Sequence, residues 1–174
     1  MKENYYIGVL GGANPPEKFL KIAYEVGELL AKNNITVLCG GLSGVMKEVS
    51  KGVKDNGGVV IGILPGYGRG EENHYLSYSI TTGIGYARNF LIVRAAESLI
   101  AIDGSNGTIS EESFAISEGK DVIGIESLEL TPTRKREGKY FKARNAKEAV
   151  DLAIESAKNL RERGFKDHML SVIS

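Results

Sequence analysis

Three glycine-dense segments hold most of the chemistry that can be read in this sequence: Gly11–Pro15, Gly40–Gly44 and Asp103–Thr108. Each follows an apolar run and leads into residues at helical spacing. A glycine turn ahead of a helix exposes backbone N–H groups and the positive end of the helix dipole, which suits a phosphate. Tight strand-to-helix turns need glycine whatever they bind, so one such loop decides little. Three that converge on one edge favour a ligand site. In the third, Thr108 and Glu111 form a T-x-x-E spacing. It fits a capping box, with Glu111 bonded to backbone at a helix start. It equally fits a carboxylate held beside a ligand, and both readings stay open here. Cys39 ends an apolar run and reads as a small buried side chain rather than a nucleophile. Two separated histidines, His74 and His168, and one cysteine offer no zinc spacing, so no metal site is expected.

These loops must be positioned by the elements around them. Tyr5–Leu10, Ile35–Cys39, Val59–Leu64, Ser98–Ile102 and Val122–Ile125 read as strands, with weaker ones at Ser79–Thr82 and Lys139–Ala143. Helical spacing follows at four places. The first begins near Asn14 as cap and Pro15 in the first turn, and the others run over Ser43–Asn56, Tyr86–Ala96 and Thr108–Glu118. A last helix spans Ala146 to about Arg163, opened by a capping box of Asn145 and Glu148. Tyr67–Tyr75 reads as a loop and Arg134–Arg136 as a solvated connection. Strands that are almost wholly apolar are buried on both faces, and their alternation with helices implies right-handed crossovers. The predicted fold is α/β: a single Rossmann-like, doubly wound, mostly parallel sheet over residues 1–174, with helices on both faces. In such sheets ligands bind beyond the carboxyl ends of the strands, where the glycine loops fall.

Composition narrows the function. The chain has 174 residues, with 42% hydrophobic and 25% charged, ordinary values for a folded domain. Lysine and arginine balance aspartate and glutamate at 22 each, so no basic stripe exists to neutralise nucleic-acid phosphates. The 22 glycines are about 13% of the chain, against a usual ~7%. With no signal-peptide pattern, no apolar run of membrane length and a lone cysteine, a cytoplasmic protein in a reducing compartment is expected. No nucleic-acid or membrane partner is expected.

Neither common nucleotide fingerprint is present. No G-x-G-x-x-G follows the first strand, no G-x-x-x-x-G-K-[ST] occurs, and the Gly83–Gly85 pair lacks a third glycine. However, Gly40-Gly41-Leu42-Ser43-Gly44-Val45-Met46 and the later Gly57-Gly58-Val59-Val60-Ile61-Gly62-Ile63-Leu64-Pro65 resemble a known family. It is often mislabelled lysine decarboxylase, and its characterised members are the LOG cytokinin-activating phosphoribohydrolases. Two further stretches, Thr82–Asn89 (T-G-I-G-Y-A-R-N) and Asp103–Glu111 (D-G-S-N-G-T-I-S-E), resemble the branch containing the molybdenum cofactor carrier proteins. The likeness runs in order from about residue 5 to 125.

The resemblance implies a bound phosphorylated, nucleotide-like molecule, with a nucleotide or a molybdopterin-type ligand as the candidates and no cofactor required. Arg88 matches the arginine that holds and activates the nucleotide in LOG enzymes, and Glu111 matches their P-G-G-x-G-T-x-x-E glutamate. These two would be catalytic if the chain is an enzyme cleaving the N-glycosidic bond of a nucleoside 5′-monophosphate. An N-glycosidic cleavage passes through an oxocarbenium-like state that a carboxylate stabilises, and an arginine fork suits phosphate or ribose. Gly11, Gly12, Gly40, Gly41, Ser43, Gly44, Asn89, Gly104, Ser105, Asn106, Gly107 and Thr108 are the further expected ligand contacts. Asp103, Gly104 and Ser105 stand where the enzymes have proline and two glycines. Ser105 adds a Cβ and Asp103 a negative charge at the phosphate loop, so a carrier is favoured over a hydrolase. The resemblance also implies a homodimer or larger homo-oligomer.

Overall fold

Apolar runs bounded by glycine become strands, and the amphipathic stretches between them become the helices that cover the sheet. A computed structural model describes residues 4–104, 106–134 and 137–164, without the side chain of Asn106. Ser105, Lys135, Arg136 and His168 lie outside the described residues. In chain order the first half runs β1 (Tyr6–Gly11), α1 (Glu17–Lys32), β2 (Thr36–Cys39), α2 (Val45–Asp55), β3 (Val59–Leu64) and β4 (Tyr78–Thr81). A 3₁₀ turn (Gly85–Arg88) then leads into α3 (Asn89–Ala95), β5 (Ser98–Ile102), α4 (Asn106–Ser117), β6 (Val122–Ile125), β7 (Tyr140–Lys142) and α5 (Ala146–Arg163).

The sheet order is β4-β3-β2-β1-β5-β6-β7, and every pairing is parallel. The expected mostly parallel sheet is thus wholly parallel. Strand order reverses between β1 and β5, the switch point where a doubly wound sheet opens a crevice. Alternate residues divide the core in two. Ile7, Val9, Val37, Val60, Ile100 and Ile123 pack under α1, α2 and α5, whereas Leu10, Leu38, Ile63, Leu99 and Ala101 pack under α3 and α4. Among the described residues no helix is long and apolar enough to cross a membrane.

Helix starts differ from the local reading at three places. α1 begins at Glu17, with Pro16 at its N-cap and no side-chain cap. The expected cap at Asn14 fails because Pro16 keeps Pro15 out of the helical region, and Pro16 is itself extended at ψ 149°. The segment from Tyr86 divides into the 3₁₀ turn and a shorter α3. α4 starts at Asn106, so Thr108 lies inside its first turn instead of capping it. At α5 the cap forms as expected, the Asn145 side chain accepting from the Glu148 N–H at 2.9 Å. The Glu148 carboxylate returns to the Arg144 N–H, one residue ahead of the usual partner.

Two helical glycines set how closely α1 and α2 meet. A Cβ on Gly27 would stand 2.2 Å from the Val49 carbonyl oxygen, and one on Gly52 2.1 Å from that of Tyr24. The helices therefore touch backbone to backbone. Helix propensity alone would make Gly52→Ala stabilising by ~0.8–1 kcal/mol. The contact reverses that sign, and urea unfolding should show Gly52→Ala destabilised by about 1–3 kcal/mol net. A more stable variant would contradict the close crossing.

Candidate functional site

A cleft of about 200 Å³ opens beyond the carboxyl ends of β1, β2 and β5. Gly11, Gly12, Gly40, Arg88, Asn89, Gly107, Thr108 and Glu111 line it, together with Val9, Leu10, Ala13, Leu42, Met46 and Tyr86. Loops separated by up to a hundred residues in sequence meet here because their strands are neighbours at the switch point.

The glycines serve different ends. Gly107, in the first turn of α4, would have nothing within 4 Å of an added Cβ, so that turn faces open space. At Gly40 a Cβ would fall 2.5 Å from one terminal nitrogen of Arg88 and 2.5 Å from the Met46 sulfur. Gly40 is bare so that the guanidinium can lie across it. Gly11 leaves room for Val45, whose carbons would be 2.6 Å from a Cβ. Gly41, Ser43, Gly44 and Gly104 are outside the lining. Gly44 (φ 62°) packs against the carbonyl oxygens of Gly12 and Ala13, while the Ser43 hydroxyl donates to Ala13 and the Val45 N–H to Gly12. That stitching occupies the first amide of α2 internally. Gly104 abuts Ser127 and Leu128.

Arg88 reaches the rim through backbone chemistry the sequence only half discloses. Gly83 (φ 66°) and Gly85 (φ 58°) adopt left-handed conformations and donate to the Gly66 and Pro65 carbonyls at 3.0 and 3.1 Å. This folds the chain back over the end of β3 and delivers Arg88 from the 3₁₀ turn. Asn73, unremarked in the loop before β4, is 8% exposed and holds the opposite wall. Its side-chain amide donates to the carbonyls of Gly41 and Leu42 at 3.1 and 3.0 Å. His74 is exposed and stacked on Tyr75, outside the lining. Cys39 is buried, and burial raises its thiol pKa, as expected of a packing residue.

The electrostatics are those of a buried, underpaired site. Arg88 is 6% exposed and Glu111 7%. Burial lowers the Arg88 pKa while Glu111 supports its charge. Burial pushes Glu111 up to about 7, helped by Glu112 and opposed by Arg88. The Arg88 Nε and the Asn89 Oδ1 are buried with no hydrogen-bonding partner among the described residues. Buried polar groups are normally satisfied, so one donor and one acceptor left over at the same cleft require an account.

Over residues 4–157 the sequence matches the SLOG cluster4 family. The chain belongs to that family. A solved molybdenum cofactor binding protein of the phototrophic bacterium Rippkaea orientalis superposes with a TM-score of 0.80 at 30% identity, covering 90% of this chain and 98% of that one. A protein of Archaeoglobus fulgidus, itself uncharacterised, is 42% identical over 121 residues, 68% of this chain and 78% of its own length. The rice (Oryza sativa subsp. japonica) protein called "Probable cytokinin riboside 5'-monophosphate phosphoribohydrolase LOGL9" is 33% identical over 92 residues, 51% of this chain and 40% of its own length. The LOG-like resemblance with its molybdenum cofactor carrier branch therefore holds.

In this SLOG cluster4 chain the two consecutive glutamates of α4 part company. Glu111 faces the cleft, whereas Glu112 is fully buried away from it and accepts from the Ser127 hydroxyl beyond β6. Leu42 joins the site from within the glycine loop Gly40–Gly44, and Met46 and Tyr86 join it from stretches read as helical. Their apolar or helical spacing carries no signal separating a cleft wall from ordinary core.

Proposed function

We propose that this chain binds a phosphorylated, nucleotide-like small molecule in the cleft beyond β1, β2 and β5, acting as a carrier or binding protein. One observation supports this above the rest: the buried, unpartnered Arg88 Nε and Asn89 Oδ1 beside the open first turn of α4. A guanidinium donates to phosphate oxygens with planar geometry, and the free amides of a helix start add to it. The orphaned Oδ1 accepts from a hydroxyl or ring N–H of the same ligand. The volume is below the ~300–1,000 Å³ of pockets that enclose a drug-sized ligand whole. A nucleotide or molybdopterin-type molecule would therefore seat its phosphate end and lean outward past Tyr86, which is 88% exposed.

A second reading is favoured by one specific feature, the carboxyl of Glu111 poised at about 7 opposite Arg88. Such a pair suits hydrolysis of a nucleoside 5′-monophosphate. Water adds at C1′ as the N-glycosidic bond breaks, the base leaves with a proton, and ribose 5-phosphate remains. A panel of nucleoside monophosphates separates the two. The carrier reading expects a raised melting temperature with no free base on chromatography, since a ligand at a hundred times its Kd adds about 2.7 kcal/mol. Base release that is lost in Glu111→Ala would establish the hydrolase instead. No thermal shift with any phosphate-bearing compound would remove both.

A further inference from the structure

The cleft is too small for the whole of the ligand it is proposed to hold. At about 200 Å³ it takes the phosphate end, and the remainder of the molecule lies along the rim. Tyr86 stands on that rim. It is the one aromatic residue among those that line the cleft, and it is 88% exposed, whereas Arg88, two positions on, is 6% exposed. Exposed rings scattered singly over a surface need no account, but this one borders a buried guanidinium with an unpartnered Nε.

The backbone holds Tyr86 in place. Gly83 and Gly85 adopt φ of 66° and 58°, a region that residues with a Cβ rarely enter, and their N–H groups are tied to the Gly66 and Pro65 carbonyls. The 3₁₀ turn that follows therefore starts from a fixed point. At a rise of about 2 Å per residue, Tyr86 and Arg88 stand close together on that one turn. Burial lowers the Arg88 pKa, and Tyr86 is among the groups that oppose the fall, so the phenol lies within electrostatic reach of the guanidinium. A residue whose backbone is already ordered loses little freedom when a ligand settles on it.

The polarity of the rim indicates what settles there. From Leu76 to Val93 the only charged residue is Arg88, and that one lines the cleft. Leu42 and Met46 add apolar surface from the second glycine loop and the start of α2. A second phosphate or a sugar acid would find no counter-charge in this segment. A neutral planar ring would exchange water for aromatic and aliphatic surface.

We infer that Tyr86 is the specificity-determining residue for the ligand's ring, offering its face to a flat heterocycle whose attached phosphate is taken by Arg88. The inference rests on the phosphorylated-ligand reading above. It narrows that reading to molecules that carry an aromatic ring. Stacking of this kind accepts any base, because every base has a π-face, and loss of the aromatic partner costs about 10- to 100-fold in affinity.

Titration calorimetry with AMP and with ribose 5-phosphate tests it, since the two share a 5′-phosphorylated ribose and differ in the ring. The wild type should bind AMP about 10- to 100-fold more tightly than ribose 5-phosphate. Tyr86→Ala should bring AMP down towards ribose 5-phosphate and leave the latter nearly unchanged. Tyr86→Phe, which keeps the ring, should retain the preference. The side chain is too exposed to carry much of the fold, so these variants stay folded. Tyr78→Ala, at an exposed tyrosine of β4 outside the lining, should change neither affinity. A wild type that binds both compounds equally would overturn the inference while leaving the phosphate reading in force. So would a Tyr86→Ala variant that keeps the preference or loses both compounds alike, or a Tyr86→Phe variant that loses the preference. Binding of neither compound would remove the phosphate reading itself, and the inference with it.

Discussion

Replacing Arg88 with methionine should weaken binding of AMP by about 100-fold or more while raising the melting temperature of the ligand-free protein. The two effects share one cause. The guanidinium is held 6% exposed, with its Nε unpartnered among the described residues and Glu111 as the foremost nearby counter-charge. Keeping a charge there without a full set of partners costs stability, and an apolar side chain of similar length removes that cost. With a phosphate present the balance reverses, because hydrogen bonds between charged groups are worth roughly 1.5–3 kcal/mol each and a planar fork makes two. Titration calorimetry with AMP and thermal melts with and without it measure both halves. An unchanged affinity would remove Arg88 from the site. A lower melting temperature in the apo variant would mean that the arginine supports the fold.

Stability should decline as pH rises from about 4.5 to 7, and Glu112→Gln should abolish part of that decline. Burial raises Glu111 and Glu112 from an ordinary 4.5 to about 7, with the Ser127 hydroxyl partly opposing it at Glu112. In that window the folded chain holds protons that the unfolded chain has released, so folding is favoured at the acidic end. The contribution is complete below 4.5 and gone once pH passes 7. Each pKa unit corresponds to 1.36 kcal/mol, so a group of this kind changes stability by on the order of 1–3 kcal/mol across the window. Glu112→Gln keeps the shape without the ionisation. Urea unfolding should find it close to wild type at pH 5 and more stable by about 1–2 kcal/mol at pH 8. Parallel pH profiles for variant and wild type would refute the assignment. Glu112 is the better probe, because it lies behind the cleft and its replacement leaves the lining intact.

The pH dependence and the Arg88 effect have a common structural origin. α4 enters the sheet at the switch point with two adjacent carboxyls, one towards the cleft and one towards the exit of β6. Neither meets the solvent it would need to ionise freely. The proposed binding site is therefore costly when empty and would be stabilised when filled, which makes thermal shift a direct test of the proposal.

How much of this was legible beforehand depends on the range of the interaction. The strands were readable because burial on both faces demands unbroken apolar runs, as in Leu99–Ile102. Asn145 was readable as a cap because its partner, Glu148, is three residues away. The rule that ligands lie beyond strand carboxyl ends then located the cleft. Asn14 misled because Pro15 and Pro16 override a capping preference, whereas the T-x-x-E spacing of Thr108 and Glu111 left two readings open because it occurs inside the first turn of a helix as well as at its cap. The glycines show the boundary best. Composition announces that close approaches exist, but not what approaches. Gly40 makes room for Arg88, forty-eight positions on, Gly44 for the Gly12–Ala13 carbonyls, and Gly104 for Ser127, while Gly107, at the cleft, faces open space. A missing Cβ looks the same in all four, and only the neighbours brought by tertiary folding distinguish a packing contact from an opening for a ligand.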